Sequence, residues 1–145
     1  TVLAHALKDQ TPAVRGAAAT SLGKLGNTKA IPHLTAALAD PDVYVRVSAA
    51  EGLYRFGEKT LSAYEAAMLE SDYAARHFAV GSLRKVGGKE ALPLLARGLG
   101  DTAPRVRIAV MRAIGEIGEK EALPLLKAGL KDPDLSVRTY AAGNV

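Results

Sequence analysis

The side chains able to do covalent or metal chemistry are few and lie apart. Cysteine is absent, which removes a thiol nucleophile, a thiolate metal site and a disulfide framework together. The three histidines, His5, His33 and His77, have no second histidine at the i+3 or i+4 spacing by which one helix face grips a metal. Gly87-Gly88-Lys89-Glu90 has the glycines and lysine of a phosphate loop, but neither its spacing nor the hydroxyl that follows the lysine. Glu51 and Glu116 stand singly in distant parts of the chain, with nothing pairing them as acid and base. No catalytic residue, metal or cofactor is expected, and the chain reads as a non-enzyme.

What does recur is arginine. Val14-Arg15, Val45-Arg46, Val106-Arg107 and Val137-Arg138 follow one another at steps of 31, 61 and 31 residues, and Ala75-Arg76 fills the gap. The step from Arg46 to Arg76 is 30, one short, and the deletion falls in the loop Gly57-Glu58-Lys59-Thr60. A ladder of five arginines invites an anion-binding role, but the helical wheel argues otherwise. Arg46 lies about 20° from Leu53 at 100° per residue, so it faces the packed side. There it is expected to pair with loop aspartates such as Asp40 or Asp101, tying unit to unit, so that Arg46→Ala chiefly lowers stability.

The elements that position these residues are legible from the same repeat. The first helix of each unit is marked by Ala30-Ile31-Pro32, Ala91-Leu92-Pro93 and Ala122-Leu123-Pro124, with proline in the first turn, where its missing N–H costs nothing. The second helix follows Asp40-Pro41-Asp42 or Asp132-Pro133-Asp134, the second aspartate serving as N-cap. Gly26, Gly57, Gly87 and Gly118 close it in the left-handed region. Unit three departs most, with Ser62 and Ser71 in place of prolines and Ala75 in place of valine. The sequence predicts ten short helices in five antiparallel pairs. No pair can bury its apolar stripe alone, so the units must stack into a solenoid, and Ala18-Ala19, Ala49-Ala50 and Ala141-Ala142 permit close approach.

The pattern Asp-Pro-Asp-x-x-Val-Arg-x-x-Ala-Ala, with Leu22-Gly23-Lys24-Leu25-Gly26 closing a unit, resembles the short HEAT-like repeat. That type was named after phycobilisome lyase subunits and is also used in consensus-designed helical repeat proteins. The resemblance spans essentially the whole chain. It implies an all-α, right-handed α-α superhelix of five HEAT-like hairpins over 1–145, with units at about 1–26, 27–57, 58–87, 88–118 and 119–145. The iron hydroxylases built on such repeats carry His-Glu dipeptides; here Ala6, Leu34 and Phe78 follow the histidines. Thr1 falls inside a first helix and Val145 short of a second helix's end, so a longer array and end-to-end self-association are expected.

The resemblance also implies that the second helices line a concave groove. The positions equivalent to 44, 47, 48, 51 and 55 fall on one arc, opposite Val45, Ala49, Leu53 and Phe56. Across the units, they bring Lys24, Arg55, Lys85, Arg105 and Arg112 against Glu51 and Glu116, a local charge of +3. They also expose Tyr44, Val47, Phe78, Ile108 and Tyr140, with His77 among them and Arg84 and Tyr54 at the edge. Apolar groups beside arginine have the composition of a recognition patch.

The expected function is a protein-interaction scaffold that binds an acidic protein segment in this groove. The alternative is a nucleic-acid module gripping phosphates, for which the net charge of +4 and pI near 9.4 are modest support, and a third reading, ranked below both, is a non-catalytic or lyase-type subunit of an enzyme complex. No apolar run approaches the roughly 20 residues of a membrane helix and no cationic leader is visible, so a cytoplasmic protein without a membrane partner is expected.

Overall fold

The computed structural model describes residues 2–70, 72–86, 88–118 and 120–145. Ten α-helices occur among the described residues: α1 Val2–Ala6, α2 Pro12–Leu25, α3 Ile31–Ala37, α4 Val43–Tyr54, α5 Leu61–Ala67, α6 Tyr73–Val86, α7 Leu92–Gly98, α8 Pro104–Ile117, α9 Leu123–Gly129 and α10 Leu135–Ala142. Short 3-10 turns at Thr28–Ala30, Gly57–Thr60, Lys89–Ala91 and Lys120–Ala122 lead into α3, α5, α7 and α9. The odd-numbered helices are short and the even-numbered ones longer. The chain is an all-α, right-handed α-α superhelix of HEAT-like hairpins. The even-numbered helices stack in chain order, α2 on α4 on α6 on α8 on α10, and α3 packs on both α4 and α5.

Local sequence explains where each helix starts and stops. Pro32, Pro93 and Pro124 sit in the first turns of α3, α7 and α9. Asp42 caps α4 by accepting the Tyr44 N–H at 2.8 Å, and Asp134 caps α10 by accepting those of Ser136 and Val137. Asp72 does the same for Ala74 at 2.8 Å. Gly26, Gly57 and Gly118 adopt φ of 65°, 57° and 64°, the left-handed exits that only glycine takes without strain. Gly87 and Ser71 lie outside the described residues, as do Thr1 and Glu119. The core is one continuous column running through Leu34, Ala49, Leu53, Ala79, Leu83, Leu95, Val110 and Ile114, all fully buried.

The arginine ladder is structural, but its rungs differ from the expected ones. Arg15 Nε and Nη2 grip Asp40 at 2.7 and 2.9 Å. Arg76 grips Asp101 at 2.7 and 3.0 Å, and Arg107 grips Asp132 at 2.8 and 3.0 Å. Each is a two-pronged fork, the geometry that suits guanidinium to carboxylate. The aspartates serve twice: Asp40, Asp101 and Asp132 also accept the N–H of Asp42, Ala103 and Asp134, so the turn before each second helix holds its carboxylate in place.

Arg46 is the correction. It meets neither Asp40's carboxylate nor Asp101; its Nη1 donates to the carbonyls of Asp40 and Pro41 at 2.7 and 2.9 Å. Its Nε is buried and makes no hydrogen bond. The reason lies one unit on. Every ladder arginine also donates to the carbonyl six residues before it, of Asp9, Asp40, Glu70, Asp101 and Asp132 in turn. Glu70 thus holds the place that aspartate holds in the other units. Its extra methylene does not fit the tight side-chain-to-backbone turn that aspartate makes.

Candidate interaction face

Most of the expected groove residues lie on the even-numbered helices with their side chains outward. Lys24 is on α2, Tyr44 and Val47 on α4, Arg55 just beyond α4, His77 and Lys85 on α6, Arg105 and Arg112 on α8 and Tyr140 on α10, all exposed. Phe78 and Ile108 depart from expectation: both are half-buried and packed against the core. Two stripe positions do not belong to the face at all. Ser48 is buried, because it lies in line with Tyr44 and Gly52 on the side of α4 that packs against α2. Gly16 is buried beneath the Tyr44 ring, which lies where a Cβ on residue 16 would stand. A helical wheel places residues around one axis and contains no information on how far the next helix overlaps it.

The side chains of this face are stitched from helix to helix. The Arg46 guanidinium stands over the Phe78 ring at 5.4 Å, and Lys85 over Tyr54 at 6.0 Å. Arg112 covers Tyr140 at 5.3 Å and donates to its hydroxyl at 2.9 Å. Arg84 pairs with Glu116 at 2.7 Å. Cation–aromatic contacts of this kind are worth about 0.5–1 kcal/mol each at exposed sites, so they orient the cations more than they stabilise the fold. Glu116 is already answered by Arg84, whereas Lys24, Arg55 and Arg105 have no carboxylate partner among the described residues. The face stays cationic.

A cavity of about 230 Å³ lies on this face, in the seam between α4 and α6. Val47 and Ala50 form one wall, Phe78 and Gly81 the other, with His77, Glu51, Arg84 and Lys85 at the mouth and Ser82 in the floor. Ser82 is buried, and sequence reasoning overlooked it because a serine on a helix shows no periodic signal of its own. The fully buried Tyr64 has a hydroxyl that completes no well-formed hydrogen bond. Burial pushes this phenol up, partly offset by the nearby hydroxyls of Thr60 and Ser82. Among the described residues, no group of histidine, aspartate and glutamate could hold a metal, and no helix is long and apolar enough to cross a membrane.

A family model for HEAT repeats matches residues 1–72 and 61–145. The chain belongs to the HEAT-repeat family. Among curated relatives of this HEAT-repeat chain, phycocyanobilin lyase subunit alpha of Nostoc sp. (strain PCC 7120) is 33% identical over 114 residues, covering 70% of this chain and 41% of the relative. The subunit alpha of Picosynechococcus sp. (strain PCC 7002) is 33% identical over 132 residues, 77% of this chain and 49% of the relative. The HEAT-repeat chain thus spans under half the length of these relatives.

Among solved structures, the complex of CpcE and CpcF of phycocyanin lyase from Nostoc superposes with a TM-score of 0.64 at 27% identity, over 97% of this chain and 61% of that one. Human deoxyhypusine hydroxylase matches at 0.61 and 21% identity, over 98% of this chain and 70% of that one, a likeness of fold alone. These relatives correct the expectation of a non-enzyme: the similar curated proteins are named as subunits of a lyase. The reason sequence reasoning ranked a lyase-type subunit last is physical. A subunit that holds and orients needs no nucleophile or metal motif, so the absence of such motifs does not separate it from a scaffold. The nucleic-acid alternative finds no support among the relatives.

Proposed function

We propose that this HEAT-repeat chain is a subunit of a lyase-type assembly handling a bilin, with phycocyanobilin as the model set by its relatives, and that it works by holding a protein partner in the groove of its second helices. The observation that carries this reading is the similarity to phycocyanobilin lyase subunits at 33% identity over 70% and 77% of the chain. The face supplies binding rather than covalent chemistry. Tyr44, Val47, Phe78, Ile108 and Tyr140 offer apolar anchors, and Lys24, Arg55, Lys85, Arg105 and Arg112 form a cationic rim. His77 adds a hydrogen-bonding group beside Phe78, its ring edge-on at 5.9 Å. A rim of this sign favours an acidic protein segment, mainly by raising its rate of encounter and fixing its orientation.

The test is reconstitution. The chain is mixed with a phycocyanobilin lyase subunit beta, an acceptor phycobiliprotein and the bilin, and complex formation and chromophore transfer are followed by size exclusion and visible absorbance. The expected result is a complex that raises transfer, and that weakens at least about tenfold, or roughly 1.4 kcal/mol, in the Arg55→Glu, Arg105→Glu double variant, which changes two exposed cations without a carboxylate partner among the described residues and keeps the helical melting curve. No complex, and no change in transfer on adding the chain, would overturn the assignment. A complex that the double variant leaves intact would move the partner to another face.

A further inference from the structure

The cavity between α4 and α6 differs from the rest of the face in being a built recess rather than a charged surface. At about 230 Å³ it lies below the roughly 300–1,000 Å³ of small-molecule sites, which suits one inserted side chain. Its walls are apolar, from Val47, Ala50 and Phe78, and its back is Gly81, where an added Cβ would meet nothing within 4 Å. Its mouth is polar and asymmetric. Arg84, paired with Glu116, and Lys85, over Tyr54, stand at one end, and Glu51 is the one acidic group of the lining. In the floor, Ser82 stands before the buried, unsatisfied hydroxyl of Tyr64.

The seam holding this cavity is also the one that lacks the two-pronged arginine–aspartate tie found at Arg15, Arg76 and Arg107. Arg46 Nε is buried there without a partner. The described contacts of charged side chains across this seam are cation–aromatic ones, Arg46 over Phe78 and Lys85 over Tyr54, in place of the bidentate charge pair that ties α6 to the α8 unit.

From this geometry we infer that the α4–α6 cavity is the anchor subsite of the groove, receiving one aliphatic or aromatic side chain of an acidic protein segment while a neighbouring carboxylate meets Lys85. The inference rests on the groove reading above and specifies which part of the groove grips. Charge complementarity selects the occupant: an acidic flank gains attraction at the mouth, and a basic flank has only Glu51 to meet.

The experiment is a titration of the isotope-labelled chain, followed by amide chemical shifts, with capped Asp-Leu-Asp and capped Lys-Leu-Lys tripeptides. The expected result is shifts centred on Phe78, Gly81, Ser82 and Lys85 for the acidic peptide, with a Kd on the order of 1 mM. Binding of the basic peptide should be at least about fivefold weaker. Gly81→Leu, which fills the recess, should abolish the response, and Lys85→Glu, at an exposed position that gives up only the contact with Tyr54, should weaken it at least about fivefold. Equal response to both peptides, no response into the millimolar range, or a response untouched by Gly81→Leu would overturn the subsite. If the peptides fail while reconstitution succeeds, only the subsite is wrong; if the peptides bind while reconstitution fails, the lyase reading is wrong.

Discussion

The α4–α6 seam and its neighbours on either side are built from the same repeat and packed quite differently. At α2–α4, Arg15 forks onto Asp40 and Gly23 sits so close to Gly52 that a Cβ would stand 2.5 Å from its Cα. At α6–α8, Arg76 forks onto Asp101. At α4–α6, the arginine has no carboxylate, the glycine Gly81 faces open space, and a cavity appears on the face. One methylene, aspartate to glutamate at residue 70, accompanies the change. A repeat can therefore keep its fold at every joint while relaxing one of them, because the column of Leu, Val and Ala in the core carries the stacking and the polar ties adjust how tightly each joint is held.

Filling the tight seam should have the largest effect. Gly23→Ala forces a methyl group against the backbone of Gly52, and overpacking of this kind costs about 1–3 kcal/mol; urea unfolding should place it near the top of that range. An effect below about 0.5 kcal/mol would mean the two helices slide apart freely and the contrast between seams is shallow.

Cutting a tie comes next. Asp101→Ala strips Arg76 of its carboxylate and the Ala103 N–H of its acceptor, and should cost about 2–3 kcal/mol at pH 7. The effect has a pH signature. Burial alone would raise the Asp101 carboxyl, but Arg76 and the Ala103 N–H more than offset this and hold it below the ordinary 3.8. Stabilisation from the ionised form is thus complete above the unfolded value and is lost as the pH falls through the lower folded one. The gap between wild type and variant should be constant from pH 7 to about 5 and shrink below about pH 4. A gap that stays constant into acid would show that the charge of Asp101 contributes nothing.

Arg46→Ala should be milder, about 1 kcal/mol, since only carbonyl hydrogen bonds and the Phe78 contact are lost while an unsatisfied Nε is removed. A cost equal to that of Asp101→Ala would erase the difference between the joints. Glu70→Asp should sharpen it in the other direction. The shorter side chain can make the tight turn and present its carboxylate to Arg46, and the melting temperature should rise by about 3 °C. Finally, Gly81→Ala should raise stability by at most about 1 kcal/mol, the helix-propensity gain at an uncrowded site, and a loss would mean the cavity is closed in solution.

Much of the architecture was legible in the residues. Prolines in first turns, aspartate caps and glycine exits are local chemistry, each written within four or five positions, and they place the helices with little help from the rest of the chain. The step of 31 residues then required stacking, because a lone hairpin leaves its apolar stripe wet. The groove was legible only in outline. Phe78 and Ile108 were assigned to open surface, and both are half-buried; Ser48 was assigned to the face, and it is buried.

Which arginine meets which aspartate was likewise beyond a wheel diagram. The partners are 25 residues apart, across a unit boundary, and the distance between their helices is set by what packs between them. The sequence by itself determined the elements, their number and their stacking order, since those follow from periodicity and capping. Only the tertiary structure decided which joints are tied and which one opens, because that depends on ångström-scale fits between side chains from different units.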